Sequence, residues 1–231
     1  MPRYQFVDCR WELGSPGRGR ELYLEGHIPG ASFLDVDDLA APPGPRGRHP
    51  LPDADDFARA ASRAGIGDGV FVVAYGNMGG AERLWWLLRH FGHDDCAVLE
   101  LEAWRGPLRA GEEEIEPADF TPRLRESDSI DAGELAERLE ELVVVDARRP
   151  ERFRGEENPI DRVPGRVPGA RNAPWDEPLP QLPEGELVAY CGSGVTATVV
   201  LHRLHLAGRD GKLSPGSWSE WERLDLPVDK S

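Results

Sequence analysis

Short apolar, β-branched runs alternate along this chain with segments whose apolar residues recur every three or four positions. The runs 70–75 (Val-Phe-Val-Val-Ala-Tyr) and 142–145 (Leu-Val-Val-Val) contain no polar residue, which is typical of a strand buried on both faces. Four stripes at helical spacing comprise Phe57, Ala60, Ala61, Ala64; Leu84, Leu87, Leu88, Phe91; Leu135, Ala136, Leu139, Leu142; and Ala197, Val200, Leu201, Leu204. The alternation predicts an α/β fold with a mainly parallel sheet flanked by helices.

The same pattern occurs twice. Val-Asp-Cys-Arg at 7–10 returns as Val-Asp-Ala-Arg at 145–148, the Gly-x-(Ile/Val)-Pro-Gly-Ala motif stands at 26–31 and 165–170, and Val-Ala-Tyr stands at 73–75 and 188–190. Three matches in the same order indicate a duplicated domain. The segment between the copies is rich in Glu, contains two prolines and lacks an apolar period. We therefore predict tandem domains at 1–108 and 129–231, joined by a linker at 109–128.

The net charge and the lengths of the apolar runs limit the partners and the locations that we expect for the protein. The net charge of −15 argues against nucleic-acid binding and against docking on an anionic membrane, both of which need a basic surface. The first residues lack the apolar core of a signal peptide, and no apolar run approaches ~18 residues. We expect a soluble, cytoplasmic protein, whose oligomeric state the sequence does not indicate.

One of the three cysteines stands in a chemically suggestive place. Cys9 and Cys96 lie in strand-like apolar runs, and burial in the core is the better interpretation for both. Cys191, in contrast, opens the loop Cys-Gly-Ser-Gly-Val between a predicted strand at 186–190 and a predicted helix at 196–207. A loop there can direct backbone N–H groups and a helix N-terminus at an anion, so we expect the thiol to ionise near neutral pH and act as a nucleophile. The alternative is a buried cysteine beside a glycine-rich turn.

The segment from Tyr190 to Ala197 resembles the active-site loop of the tandem-domain rhodanese family, the 3-mercaptopyruvate and thiosulfate sulfurtransferases. The resemblance covers nearly the whole chain and includes both Pro-Gly-Ala motifs, the segment 152–155 and the segment 216–221. It implies an enzyme that moves a sulfane sulfur from a small anionic donor to cyanide or a thiol through a persulfide on Cys191, without a metal or an organic cofactor. It also implies that the first copy is inactive, because Gly76 stands where Cys191 stands in the second.

The resemblance also assigns individual residues. Arg152 matches the donor-binding arginine, with Arg162 or Arg166 as a possible second anchor, and Arg166 replaces the family's usual histidine. The loop residues assigned to substrate binding are Gly192, Gly194, Val195 and Thr196. A Ser193–His49–Asp37 relay would manage a proton, and Asp35 could replace Asp37 in it. The neutral residues after Cys191 favour 3-mercaptopyruvate over thiosulfate, since thiosulfate-preferring relatives carry basic residues there.

Two other classes of protein compete with this interpretation. A phosphatase or arsenate reductase of the same fold would need a longer loop followed by an arginine, which this sequence lacks. A non-catalytic scaffold or sulfur-relay module would not need the Cys191 loop. The remaining histidines, at 90, 93, 202 and 205, lack the neighbouring ligands that a metal site requires, so no metal is predicted.

Overall fold

Each copy of the repeat folds around a parallel sheet. The computed structural model describes residues 3–157 and 160–230, and the chain forms two compact units. Met1–Ala41 and Pro52–Arg125 make up the first unit, and Pro42–Leu51 and Glu126–Ser231 make up the second. No helix in the described part of the chain is both long and apolar enough to cross a bilayer.

The first unit contains strands β1 to β4 and helices α1 to α3. In chain order these are β1 (Arg3–Cys9), α1 (Arg18–Glu25), β2 (Ser32–Phe33), α2 (Ala54–Arg63), β3 (Val70–Gly76), α3 (Gly80–His90) and β4 (Cys96–Leu99). The strands pair in the order β2-β1-β3-β4, all parallel. Val7 on β1 lies opposite Ala74 on β3, and both residues are buried in the core.

The second unit repeats this topology. Its elements are α4 (Ala132–Glu137), β5 (Val143–Asp146), α5 (Pro150–Phe153), β6 (Arg171–Asn172), β7 (Leu187–Tyr190), α6 (Ala197–Leu206), β8 (Lys212–Leu213) and α7 (Ser217–Trp221). The strand order β6-β5-β7-β8 is again fully parallel, and every residue of the inner strand β7 is buried. The predicted fold class, two parallel α/β domains, is confirmed.

A buried ion pair marks the same place in both sheets. Arg148 makes a bidentate contact with Asp146 at the end of β5, and its Nη2 donates to the carbonyl of Gly165 at 2.8 Å. In the first unit Arg10, Asp8 and Gly26 make the same contacts. The repeated Asp-x-Arg segment therefore joins the strand end to the start of each Pro-Gly-Ala motif.

The third predicted stripe is helical over only part of its length. Helix α4 ends at Glu137, and a turn follows in which the Glu141 N–H donates to the Arg138 carbonyl at 3.0 Å. Leu139 and Leu142 still pack on the core cluster of this unit, but they do so from the turn and from the residue just before β5. The helical spacing of apolar residues extends beyond the end of the helix because the leucines that follow it face the same core cluster as those of the helix.

The boundaries of the two units differ from the predicted domains at 1–108 and 129–231. Much of the predicted linker belongs to the first unit, where the Asp68 N–H donates to the Asp119 carbonyl and the Arg123 N–H to the Phe91 carbonyl. Residues 42–51, in turn, belong to the second unit, where the Arg48 N–H donates to Ser219 Oγ at 3.0 Å. Backbone hydrogen bonds attach the linker residues, and the side chains of Arg48 and His49 also attach residues 42–51. Neither kind of contact leaves a periodic trace in the sequence.

Candidate active site

The Cys191 loop follows β7 and leads into α6, as the sequence predicts. Cys191 is only 2% exposed, and its sulfur accepts a hydrogen bond from the Gly194 N–H at 3.1 Å. Its own N–H donates to Ser217 Oγ at 3.1 Å, and its carbonyl accepts from the Trp218 N–H at 3.0 Å. The Gly194 amide is thus directed at the sulfur atom of Cys191.

Two residues with positive φ shape this cradle. Gly194 has φ +81°, and a Cβ atom there would lie 2.2 Å from the Pro215 carbonyl oxygen, so no other residue fits without displacing the backbone. Ser217 also has positive φ, +51°, which is uncommon for a non-glycine residue. Its hydroxyl donates to the Ser214 carbonyl at 2.7 Å and accepts from the Cys191 N–H. The strained Ser217 thus links the Cys191 N–H to the Ser214 carbonyl through its hydroxyl group.

Two guanidinium groups lie directly beside the loop. Arg48 Nη1 donates to Asp161 Oδ1 at 2.8 Å, Arg48 Nη2 donates to the Gly192 carbonyl at 2.9 Å, and Arg152 Nη2 donates to Asp161 Oδ2. The Asp161 side chain is 1% exposed, so both arginines share one buried carboxylate. A Cβ atom on Gly192 would lie 2.8 Å from Arg48 Nη2 and 3.0 Å from Arg152 Nη2. Position 192 therefore has no room for a side chain while the two arginines stay in place.

The charges around the loop leave a positive excess. Arg148 Nη1 lies 3.8 Å from Asp161 Oδ2, so the Asp146–Arg148 pair adjoins the same cluster. Among the residues that the structure describes, the ion pairs of this cluster join three arginines to two aspartates, which leaves one positive charge in excess. The cluster can accept an anion beside the thiolate.

Ser193 and His49 come together in the second unit. His49 Nδ1 lies 2.8 Å from Ser193 Oγ, within the range of a strong hydrogen bond. Asp37 is an exposed residue of the first unit, where its N–H donates to Asp35 Oδ1 at 3.2 Å, and burial raises the pKa of Asp35. The serine–histidine pair is thus present in one unit, while a carboxylate as its third member remains a prediction.

The other loop residues have separate surroundings. Val195 is buried, and its carbonyl accepts from Thr198 Oγ1 at 2.6 Å, while Thr196 is the half-buried residue that precedes α6. Their assignment to substrate binding remains a prediction.

Arg162 and Arg166 bind the C-terminal segment. Arg162 Nη2 donates to the Glu222 carbonyl at 2.7 Å and to Asp225 at 2.9 Å. Arg166 Nη2 donates to Asp229 at 2.9 Å, and its guanidinium lies 4.5 Å from the centre of the Phe153 ring. Both side chains thus contact the C-terminal segment, and a role as second donor anchor remains a prediction for each of them.

The first unit has no thiol at the equivalent position. Tyr75 pairs with Asp8 across its sheet just as Tyr190 pairs with Asp146, so Gly76 and Cys191 occupy the same place. The loop after Gly76 is attached to the segment that follows β1 through Asn77, whose Oδ1 accepts from the Trp11 N–H at 2.9 Å.

Sequence reasoning missed Arg48, Asp161 and the supporting role of Ser217. The one available signal for Arg48 is its position next to His49, which the resemblance had already singled out. Asp161 lies in an irregular segment, and nothing in its local pattern indicates that its side chain is buried between arginines.

Comparisons with known proteins agree with this picture of two parallel α/β units and a cysteine loop in one of them. The rhodanese-like domain model matches residues 1–105 and 131–224. A probable 3-mercaptopyruvate sulfurtransferase of Pseudomonas aeruginosa is 41% identical over 95% of this chain and 89% of its own length. A putative thiosulfate sulfurtransferase of Mycobacterium tuberculosis is 37% identical over 93% of this chain and 86% of its own.

A solved structure extends the likeness to three dimensions. The crystal structure of the 3-mercaptopyruvate sulfurtransferase SseA from Escherichia coli matches with a TM-score of 0.79 and 30% identity, and covers 95% of this chain and 94% of that one. The chain therefore belongs to the rhodanese-like family. The predicted class of enzyme, a sulfurtransferase, is confirmed, since these relatives are enzymes that transfer sulfur.

Proposed function

We propose that this protein takes the sulfur of 3-mercaptopyruvate onto Cys191 as a persulfide and passes it to cyanide or a thiol. The observation that carries the proposal is the hydrogen bond from the Gly194 N–H to the Cys191 sulfur, made beside an arginine pair with excess positive charge. A thiolate held by an amide next to an anion site combines the nucleophile with the means to bind an anionic donor.

In the first half-reaction the Cys191 thiolate attacks the sulfur of the donor. An S–S bond forms, and the bond between sulfur and the donor's C3 breaks with its electron pair going to carbon. The enolate so formed takes up a proton and leaves as pyruvate, while the persulfide loses its own proton to become Cys–S–S⁻. Arg152 would bind the donor carboxylate through its guanidinium group.

In this proposal, Ser193 and His49 manage the proton for the leaving enolate. The 2.8 Å contact between Ser193 Oγ and His49 Nδ1 allows a proton to pass between the two side chains. Thiosulfate as donor would not need this step, since sulfite leaves as a stable anion. The pair therefore supports 3-mercaptopyruvate as the preferred donor, even though the relatives' names include both types.

In the second half-reaction the outer sulfur is transferred. Cyanide attacks it and leaves as thiocyanate, or a thiol attacks it and becomes a persulfide; in either case the Cys191 thiolate is regenerated. We propose that the second unit carries all of this chemistry, that the first is catalytically inactive, and that no metal or organic cofactor takes part. A cytoplasmic location remains part of the proposal.

Steady-state turnover of both donors, with cyanide as acceptor, tests the proposal. Cys191→Ser should abolish both activities, while Cys96→Ser, the matched control, should keep both. Ser193→Ala should lower kcat with 3-mercaptopyruvate by about 100-fold, the usual scale of general acid–base catalysis, and change thiosulfate turnover far less. Activity retained by Cys191→Ser would disprove the persulfide mechanism, and an equal loss with both donors in Ser193→Ala would disprove the proton role.

A further inference from the structure

Arg48 lies in an unusual position for an arginine that only stabilises a fold. Its backbone is held by the N–H contact to Ser219 Oγ, and its guanidinium group contacts the carbonyl of Gly192, the residue after the nucleophile. The side chain is 23% exposed, close to the 20% of Arg152, so neither guanidinium group is sealed in the core. Arg48 therefore borders both the loop and solvent.

Asp161 fixes the two arginines as a pair. One oxygen of its carboxylate accepts from Arg48 and the other from Arg152, which holds the guanidinium groups next to each other. A single carboxylate neutralises only one of them. An ion pair built for stability alone would need one arginine, whereas two arginines on one buried aspartate keep a net positive charge at the loop.

Gly192 shows where that charge is directed. The position that its missing Cβ would take lies within 3.0 Å of both Arg48 Nη2 and Arg152 Nη2. The two guanidinium groups thus converge on the same point of the loop, one residue from the sulfur. Two such groups can bind the two oxygens of one carboxylate more tightly than either can alone.

We propose that Arg48 is a second donor-binding residue, which acts with Arg152 to hold the carboxylate of the sulfur donor beside Cys191. The inference deepens the proposed function and rests on it, because it presumes that Cys191 is the nucleophile. It also explains why Arg162 and Arg166 are not needed there, since both are engaged by the C-terminal segment.

Alkylation of Cys191 tests this role without any sulfur transfer. Iodoacetate and iodoacetamide have nearly the same size and reactivity, but only iodoacetate carries a carboxylate. The rate of each reagent at Cys191 is measured by peptide mass spectrometry, and the ratio of the two rates reports the anion site. Arg48→Gln keeps a donor for the Gly192 carbonyl without the charge, Arg48→Lys keeps the charge, and Arg46→Ala, two residues away, is the control.

Arg48→Gln should lower the iodoacetate-to-iodoacetamide ratio by about tenfold or more, as expected for loss of a charge-assisted hydrogen bond. Arg48→Lys should keep most of the ratio, and Arg46→Ala all of it. The KM for 3-mercaptopyruvate should rise by a similar factor in Arg48→Gln with little change in kcat. Equal slowing by both reagents, or an unchanged ratio, would overturn the donor-binding role and leave the persulfide mechanism intact. No labelling of Cys191 in the unaltered protein would instead overturn the proposed function, and this inference with it.

Discussion

Replacing Asp161 by asparagine should destabilise the second unit and impair donor binding together. Both carboxylate oxygens accept hydrogen bonds from arginine, Oδ1 from Arg48 and Oδ2 from Arg152. The NH₂ group of an asparagine would therefore face a guanidinium group whichever way the amide turned. The change removes the shared counterion and adds a donor where only acceptors fit.

The expected magnitude follows from the burial of the three partners. Breaking a buried ion pair by removing one member costs about 3–5 kcal/mol when both charges are fully desolvated. Here the aspartate is 1% exposed, but water reaches the arginines, whose side chains are 20–23% exposed and can be partly resolvated. We therefore expect a loss of about 2 kcal/mol in the free energy of unfolding. Less firmly held arginines should also raise the KM for an anionic donor about tenfold.

Urea unfolding monitored by tryptophan fluorescence measures the first quantity, and initial rates at varied 3-mercaptopyruvate measure the second. Asp176→Asn is the matched control: its pair with Arg149 is largely exposed, so its loss should cost less than about 1 kcal/mol. If Asp161→Asn unfolds at the same urea concentration as Asp176→Asn, with an unchanged KM, then Asp161 does not organise the arginine pair and the reasoning is wrong.

Three further predictions concern thiols, acid stability and the loop backbone. Burial raises the pKa of Cys96 to about 12 and that of Cys9 well above its usual value. At pH 8, Cys191 should therefore be alkylated by iodoacetamide at least about 100-fold faster than either of them. Comparable labelling of Cys9 or Cys96 would contradict this prediction. Burial, together with His205 and Arg203, lowers the pKa of His202 to about 4. Below about pH 6.5 the histidine is therefore protonated in the unfolded chain but stays neutral in the folded chain. The free energy of unfolding should fall as the pH drops from about 6.5 towards 4. His202→Gln should recover about 1 kcal/mol at pH 5 after allowance for solvent screening, whereas an equally steep acid loss in urea titrations would refute the assignment. Gly194 has φ +81°, and a Cβ atom there would collide with the Pro215 carbonyl. Gly194→Ala should therefore abolish turnover and lower the free energy of unfolding, measured by urea denaturation, by about 2 kcal/mol or more. An active, stable variant would disprove the tight fit of the loop.

Repetition in the sequence is what made the fold predictable. The matched Val-Asp-x-Arg, Pro-Gly-Ala and Val-Ala-Tyr segments correspond to the ends of β1 and β5, the approaches to β2 and β6, and the inner strands β3 and β7. These segments make contacts within one sheet, including the bidentate Asp-x-Arg pairs. Their structural role can therefore be predicted without knowing the other unit. The extent of α4 was not predictable in this way, since leucines in a helix and in the turn after it can face the same core.

The candidate site was predictable only as far as its residues are contiguous in the chain. Cys191, its glycines and the following helix form one segment, and their arrangement follows from strand, loop and helix chemistry. Ser193 and His49 are 144 residues apart, and only the family resemblance suggested their contact. Arg48 and Asp161 depend on contacts between irregular segments, and a charged residue in such a segment has the same local pattern whether it is exposed or buried.

The proposed mechanism requires that sulfur becomes bound to Cys191. The protein should be incubated with 3-mercaptopyruvate without an acceptor, freed of excess donor, and examined by intact mass spectrometry and by mapping of non-reduced peptides. We predict that the mass rises by one sulfur atom, that the added sulfur maps to the peptide containing Cys191, and that cyanide removes it as thiocyanate. Pyruvate formation with no added sulfur on Cys191, or the same added mass in Cys191→Ser, would contradict the mechanism.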